Sequence, residues 1–213
     1  MTDLLDLVLP LECGGCGAWS VRWCRVCATA LRVGPDDPHV VTPRIDPGVP
    51  VFALGRYAGV RRQAIVALKE RGRRDLAAPL ARALALGVDR LIGWGVLRYP
   101  VTLVPAPTRR SAARRRGGDP VTRIARAATA ANPLITVAAV LRTAGPARDS
   151  VGLSGTDRER NIAGRVRVGA PCTAGEVLLV DDVVTTGATA REAVRALDGA
   201  GARVAAVLAL ARA

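Results

Sequence analysis

The chain reads as an α/β protein, a parallel doubly wound sheet with helices on both faces, preceded by a small cysteine-rich unit. Three observations predict it. From residue 51 onward, short apolar runs alternate with segments of helical periodicity, the pattern of β-α-β units. One apolar run, Glu176 to Val180, leads straight into two acids and a turn rich in Thr and Gly. Two C-x-x-C pairs stand ahead of all of this.

The elements follow in order. An apolar lead and four cysteines fill residues 1–35. Gly34-Pro35-Asp36-Asp37-Pro38, with Pro43, Pro47 and Pro50, excludes a helix and predicts an irregular linker over 34–50. The domain boundary is placed near residue 45, giving a cysteine unit with its linker over 1–45 and an α/β domain over 46–213. Val51 to Tyr57 predicts a strand, and residues 60–70 a helix with Val60, Ala64, Ile65 and Leu68 on one face. Residues 75–92 predict a second helix with Asp75 as its N-cap. Val101 to Val104 is a strand ending in Pro105-Ala106-Pro107, and 108–118 a basic loop. Asp119-Pro120 reads as N-cap and first helical residue of the next helix, with Val121, Ile124, Ala125 and Ala128 on one face. Ile135 to Leu141 predicts a strand and 142–160 a polar loop. After the Glu176 to Val180 strand, residues 187–198 are helical, with Ala190, Ala193, Val194 and Leu197 on one stripe and Gly199 and Gly201 as the stop. Val204 to Leu210 is the last strand.

The 213 residues suffice for one α/β domain with a buried core plus a small appendage. Half of them are hydrophobic but only 3 % aromatic, so the core must be built from Ala, Val, Leu and Ile. The net charge is +13, and Lys69 is the single lysine, so arginine carries the basicity. Arginine offers a planar, permanent cation that fits phosphate oxygens, and the balance points to polyanionic partners, nucleic acid or a phosphorylated metabolite. A solvated arginine-rich surface accounts for the same composition. No apolar run reaches bilayer length, and Met1-Thr2-Asp3-Leu4 lacks the basic start of a signal peptide. A cytoplasmic location follows as the expectation, and in that reducing compartment paired cysteines are metal ligands more often than disulfides.

Cys13-Gly14-Gly15-Cys16 and Cys24-Arg25-Val26-Cys27 are separated by seven residues. Each pair can place two thiolates on one ion, and two such knuckles complete a tetrahedron around a structural Zn²⁺. So short a unit buries little core, so the metal would supply folding energy. Trp19 and Trp23 are candidates to cover the site.

The second chemical feature is Val177-Leu178-Leu179-Val180-Asp181-Asp182-Val183-Val184-Thr185-Thr186-Gly187-Ala188-Thr189. In open α/β sheets, ligands bind beyond the carboxyl ends of strands. A helix N-terminus presents free N–H groups and a positive dipole end to a phosphate. The hydroxyls of Thr185, Thr186 and Thr189 can donate to its oxygens. Asp181 and Asp182 are acceptors suited to a diol or a cation, so a ribose 5-phosphate matches both halves. The string resembles the signature of the type I phosphoribosyltransferases. That resemblance implies phosphoribosyl pyrophosphate (PRPP) with Mg²⁺ as ligand, Asp181 and Asp182 on the ribose, Thr185–Thr189, including Gly187 and Ala188, around the 5-phosphate, and Val183 and Val184 among the PRPP-binding residues. Purine-salvage members often carry a third carboxylate where this chain has Thr185, and a threonine cannot serve as that base.

Four cysteines followed by such a domain resemble the ComF family, competence-associated proteins also called GntX-like. Arg56-Tyr57, Leu68-Lys69-Glu70-Arg71-Gly72, Val104-Pro105-Ala106-Pro107, Arg114-Arg115-Arg116-Gly117 and Gly152-Leu153-Ser154 with Arg158 and Asn161 fit the comparison. Gly118-Asp119-Pro120, and Ser150 in place of a common Gln, depart from it. The resemblance implies a PRPP-dependent transferase in which a nitrogen nucleophile displaces Mg-pyrophosphate. Lys69 joins Asp181 and Asp182 as a catalytic candidate. Arg109 and Arg116, with the neighbouring loop arginines, are candidates to bind pyrophosphate or a nucleic-acid backbone. The alternative is a non-catalytic competence factor that keeps the ribose-phosphate site while binding single-stranded DNA or DNA-processing proteins. The acceptor is left open, as is homo-oligomer formation.

Overall fold

A computed structural model describes residues 11–107, 118–143, 164–170 and 175–213 of the chain. Arg109, Arg116 and the rest of the basic loop over 108–117, the Gly152 to Asn161 string and Cys172 lie outside the described residues.

One six-stranded sheet organises the molecule. Its order is β1 (His39–Val40), β2 (Val51–Ala53), β8 (Val204–Arg212), β7 (Glu176–Val184), β3 (Val101–Pro105), β4 (Ile135–Val137). Only β1 runs antiparallel to its neighbour. β8 is continuously apolar as far as Ala211, and β7 from Val177 to Val180, as strands covered on both faces must be.

Helices α2 (Gly59–Glu70), α3 (Ala77–Gly93) and α4 (Pro120–Thr129) cover one face, sharing a core with Leu54, Leu103, Leu178, Val180 and Leu208. Helix α5 (Ala188–Asp198) covers the other face together with a hairpin of β5 (Leu141–Thr143) and β6 (Val166–Val168), around Val104, Leu179, Val194 and Val207. This is the three-layer α/β arrangement that the sequence predicts. The Asp119 cap is also as expected: its carboxylate accepts from the Thr122 amide at 3.0 Å, with Pro120 at the first helical position.

Several local expectations are corrected. Asp75 does not cap α3; Arg73 claims its carboxylate through two N–H groups at 2.9 and 2.8 Å, and residues Arg74–Leu76 form a 3₁₀ turn before the helix. The strand expected over 51–57 ends at Ala53. The run from Ile135 to Leu141 splits because the chain turns at Ala138, whose carbonyl accepts from the Val140 amide at 2.9 Å. The proline-rich linker contains the edge strand β1. A short helix α1 (Arg25–Ala30) starts within the second cysteine knuckle, with Cys24 as its N-cap and Cys27 inside it. Among the described residues no helix is long and apolar enough to cross a membrane.

Candidate functional site

β3 continues through α4 to β4 on one side, whereas β7 continues through α5 to β8 on the other. The crevice beyond the carboxyl ends of β3 and β7 is therefore the switch point of the sheet, where ligands bind in open α/β folds. β7 outruns β3: their register ends at Pro105 opposite Val180, while Asp181 to Val184 go on pairing with β8 alone. Asp181 and Asp182 thus lie within the strand, not in the turn after it, along an edge that β3 leaves open.

Alternation along β7 turns Asp182, with Leu178 and Val180, into the layer of α2 and α4. There Asp182 is buried among Ile65, Leu68, Val121, Ile124 and Leu210. Its Oδ2 is ion-paired with Nζ of Lys69, which the last turn of α2 delivers. Its Oδ1 accepts from the Val183 amide at 2.8 Å. Asp181 follows the register of Val177 and Leu179, and its Oδ1 accepts from the Asp182 amide at 2.8 Å. Burial first, and the adjacent Asp182 carboxylate second, push the Asp181 carboxyl well above the ordinary carboxylate range; Lys69 and the Asp182 amide offset this only in part.

After Val184 the chain turns through Thr185 and Thr186 to Gly187, whose φ of +89° is a left-handed conformation suited to glycine. Gly187 is the N-cap of α5 and Thr186 Oγ1 accepts only a long bond, 3.4 Å, from the Ala188 amide. Thr185 is exposed, Thr186 and Thr189 half-buried, and Ala188 buried. The structure thus brings Asp181, Asp182, Lys69 and the loop 185–189 to one end of the sheet.

Sequence reasoning missed Arg61. It is buried, donates to the Leu210 carbonyl at 3.2 Å, and lies on the same α2 stripe as Ile65 and Lys69. Leu210 stands opposite Asp182, between the register pairs Asp181–Ala209 and Val183–Ala211. Burial lowers the guanidinium's pKa, which Asp37 opposes. Nothing in an arginine-rich sequence distinguishes this one arginine from its solvated neighbours.

The four N-terminal cysteines converge. The sulfurs of Cys13, Cys16, Cys24 and Cys27 all lie within 4.8 Å of one another, and Cys16 and Cys24 are 3.7 Å apart. A tetrahedral Zn–S₄ centre with bonds of about 2.3 Å has sulfur–sulfur edges of about 3.8 Å. The set therefore fits a closed structural zinc site. The Cys24 amide donates to Cys13 Sγ and the Cys27 amide to Cys24 Sγ, each at 3.4 Å. Burial alone would raise the Cys13 thiol, but amides of Cys16, Cys24 and Gly15 outweigh it and hold it at about 6, a thiolate ready for metal. Burial and the neighbouring sulfurs push Cys27 up.

The knuckle packs tightly on the α/β core: a Cβ on Gly15 would lie 2.6 Å from Cys27 Sγ and 3.0 Å from Val60. Arg73 clamps the unit from the core side, donating to the carbonyls of Glu12 at 2.8 Å and Arg22 at 3.1 Å. Trp23 packs against the main core, but Trp19 is 71 % exposed and covers nothing. No family model matches the chain, and no curated protein matches it.

Proposed function

We propose that the chain is a phosphoribosyltransferase-type protein of the ComF kind, binding PRPP or a related ribose phosphate at the carboxyl end of β7, with a structural zinc unit at its N-terminus. The observation that carries this reading is the placement of Asp181, Asp182 and Lys69 at the switch point of the sheet, directly ahead of a glycine-headed helix. The amides of Asp182 and Val183 hold the two carboxylates in place, and Asp181 and Asp182 would accept from ribose hydroxyls. The open start of α5 and the hydroxyls of Thr185, Thr186 and Thr189 would receive the 5-phosphate. Lys69 fixes Asp182 and supplies one cation toward the leaving pyrophosphate.

The oxygen-only donor set suits Mg²⁺, which prefers hard ligands and keeps several waters; Asp181 would be its protein-side carboxylate, and the ion would neutralise charge on the ligand's phosphates. Structural Zn²⁺ would be held by Cys13, Cys16, Cys24 and Cys27, whose sulfurs lie within 4.8 Å of one another. A second reading, a DNA- or partner-binding factor, draws on the outer face of the zinc unit. In that unit Trp19 and Val26 are 71 % and 74 % exposed, and Arg22 and Arg25 are exposed too.

Calorimetric titration of PRPP, with and without Mg²⁺, tests the first reading against Asp181→Asn/Asp182→Asn. Mg²⁺-dependent binding that disappears in the variant is expected. A folded, zinc-loaded wild type that ignores PRPP refutes it.

A further inference from the structure

The proline-rich stretch ahead of β2 is seated on the turn that opens α5. The Ile45 amide donates to the Thr186 carbonyl at 2.8 Å. The two segments pack so closely that a Cβ on Gly187 would lie 2.2 Å from the Ile45 carbonyl oxygen and 2.8 Å from Pro43 Cβ. The stretch is itself held in place. His39 and Val40 pair with Ala53 and Phe52, the Val41 amide donates to the Val51 carbonyl at 2.8 Å, and Asp46 Oδ1 accepts from the Gly48 amide at 2.8 Å. Val41 and Val49 pack against the core beneath α5. Residues 43–46 form a strap, anchored at both ends.

The strap has a consequence for charge. In a trans peptide unit the C=O and the following N–H point in opposite directions. Tying the Thr186 carbonyl to the strap turns the Gly187 N–H away from it, alongside the amides that open α5, of which that of Ala188 makes only a long bond, 3.4 Å, to Thr186 Oγ1. The flipped peptide would set a carbonyl oxygen among those amides and repel an anion. Gly187 makes the turn possible, and its missing side chain leaves room for the strap.

We infer that Pro43 and Ile45 are positioning residues for a phosphate monoester: the strap locks the Thr186–Gly187 peptide in the orientation that receives an anion. The site is then assembled from residues on both sides of position 45. This rests on the phosphate-loop reading above and adds residues to it.

The test uses the full, zinc-loaded chain with ribose 5-phosphate and inorganic phosphate as probes. Pro43→Gly loosens the strap without adding atoms, Ile45→Pro removes the donor, and Gly187→Ala inserts the clashing carbon. Losing one oriented hydrogen bond to a charged group weakens ribose 5-phosphate roughly tenfold in Pro43→Gly and Ile45→Pro. The wild-type Ile45 amide gains protection from hydrogen exchange when the probe binds. Variants that keep their zinc and circular dichroism yet bind like wild type overturn the strap's role alone. A wild type that binds neither probe overturns the phosphate-loop reading, and the inference with it. Should Gly187→Ala fail to fold, Pro43→Gly decides.

Discussion

Replacing Lys69 by Met keeps the apolar stem and removes the ammonium from Asp182. The Asp182 side chain is only 12 % exposed and that of Lys69 33 %. Removing one partner of a buried pair costs about 3–5 kcal/mol, and the partial exposure of Lys69 reduces this to about 2 kcal/mol. In a chain of this size that lowers the melting temperature by about 4–8 °C. The loss depends on pH with a definite sign. Asp181 is already held above its ordinary range, and without Lys69 it rises further. A carboxyl raised in the folded state contributes stability that is fully present below its unfolded value, about 4, and is lost as pH rises through the folded value. The penalty therefore grows as pH rises through the folded value of Asp181. Guanidinium unfolding of wild type, Lys69→Met and Lys69→Met/Asp182→Asn at both pH values measures it, and the double variant should recover most of the loss. A single variant within about 0.5 kcal/mol of wild type at pH 8, or a penalty smaller at pH 8 than at pH 5, would refute the reasoning.

Two further outcomes are expected. Arg142 and Arg167, both exposed, face each other directly across β5 and β6, and like charges so placed destabilise a hairpin. Arg167→Glu should stabilise the protein by roughly 0.2–1 kcal/mol in thermal unfolding, and no gain would count against that register. Because Cys13 is a thiolate near neutrality, zinc binding at pH 7.5 should release about one proton fewer than four ordinary thiols would. Calorimetry in buffers of different ionisation enthalpy measures the difference.

The legible parts were those that local chemistry decides. The stripes of α2, α4 and α5, the Asp119 cap and the apolar runs of β7 and β8 follow from spacing within a single segment. The four cysteines were legible because the ligand spacing is itself local. What escaped depends on partners distant in the chain. Asp75 has the right chemistry for a cap, but Arg73 competes for it. The strand reads as ending at Val180 with the two acids at its tip, because nothing in β7 reveals that β8 extends the pairing to Val184. The contact between Ile45 and Thr186 joins residues far apart in the chain, so the strap looked like a spacer.

The most direct test maps the ligand onto the chain. Ribose 5-phosphate is titrated into isotope-labelled, zinc-loaded protein and the backbone amide resonances are followed. The expected result is a set of largest shifts at Gly187, Ala188 and Thr189 with smaller ones at Asp181 and Asp182. Shifts confined to the zinc unit around Trp19, Arg22 and Arg25, or none at all, would contradict a ribose-phosphate site at the end of β7.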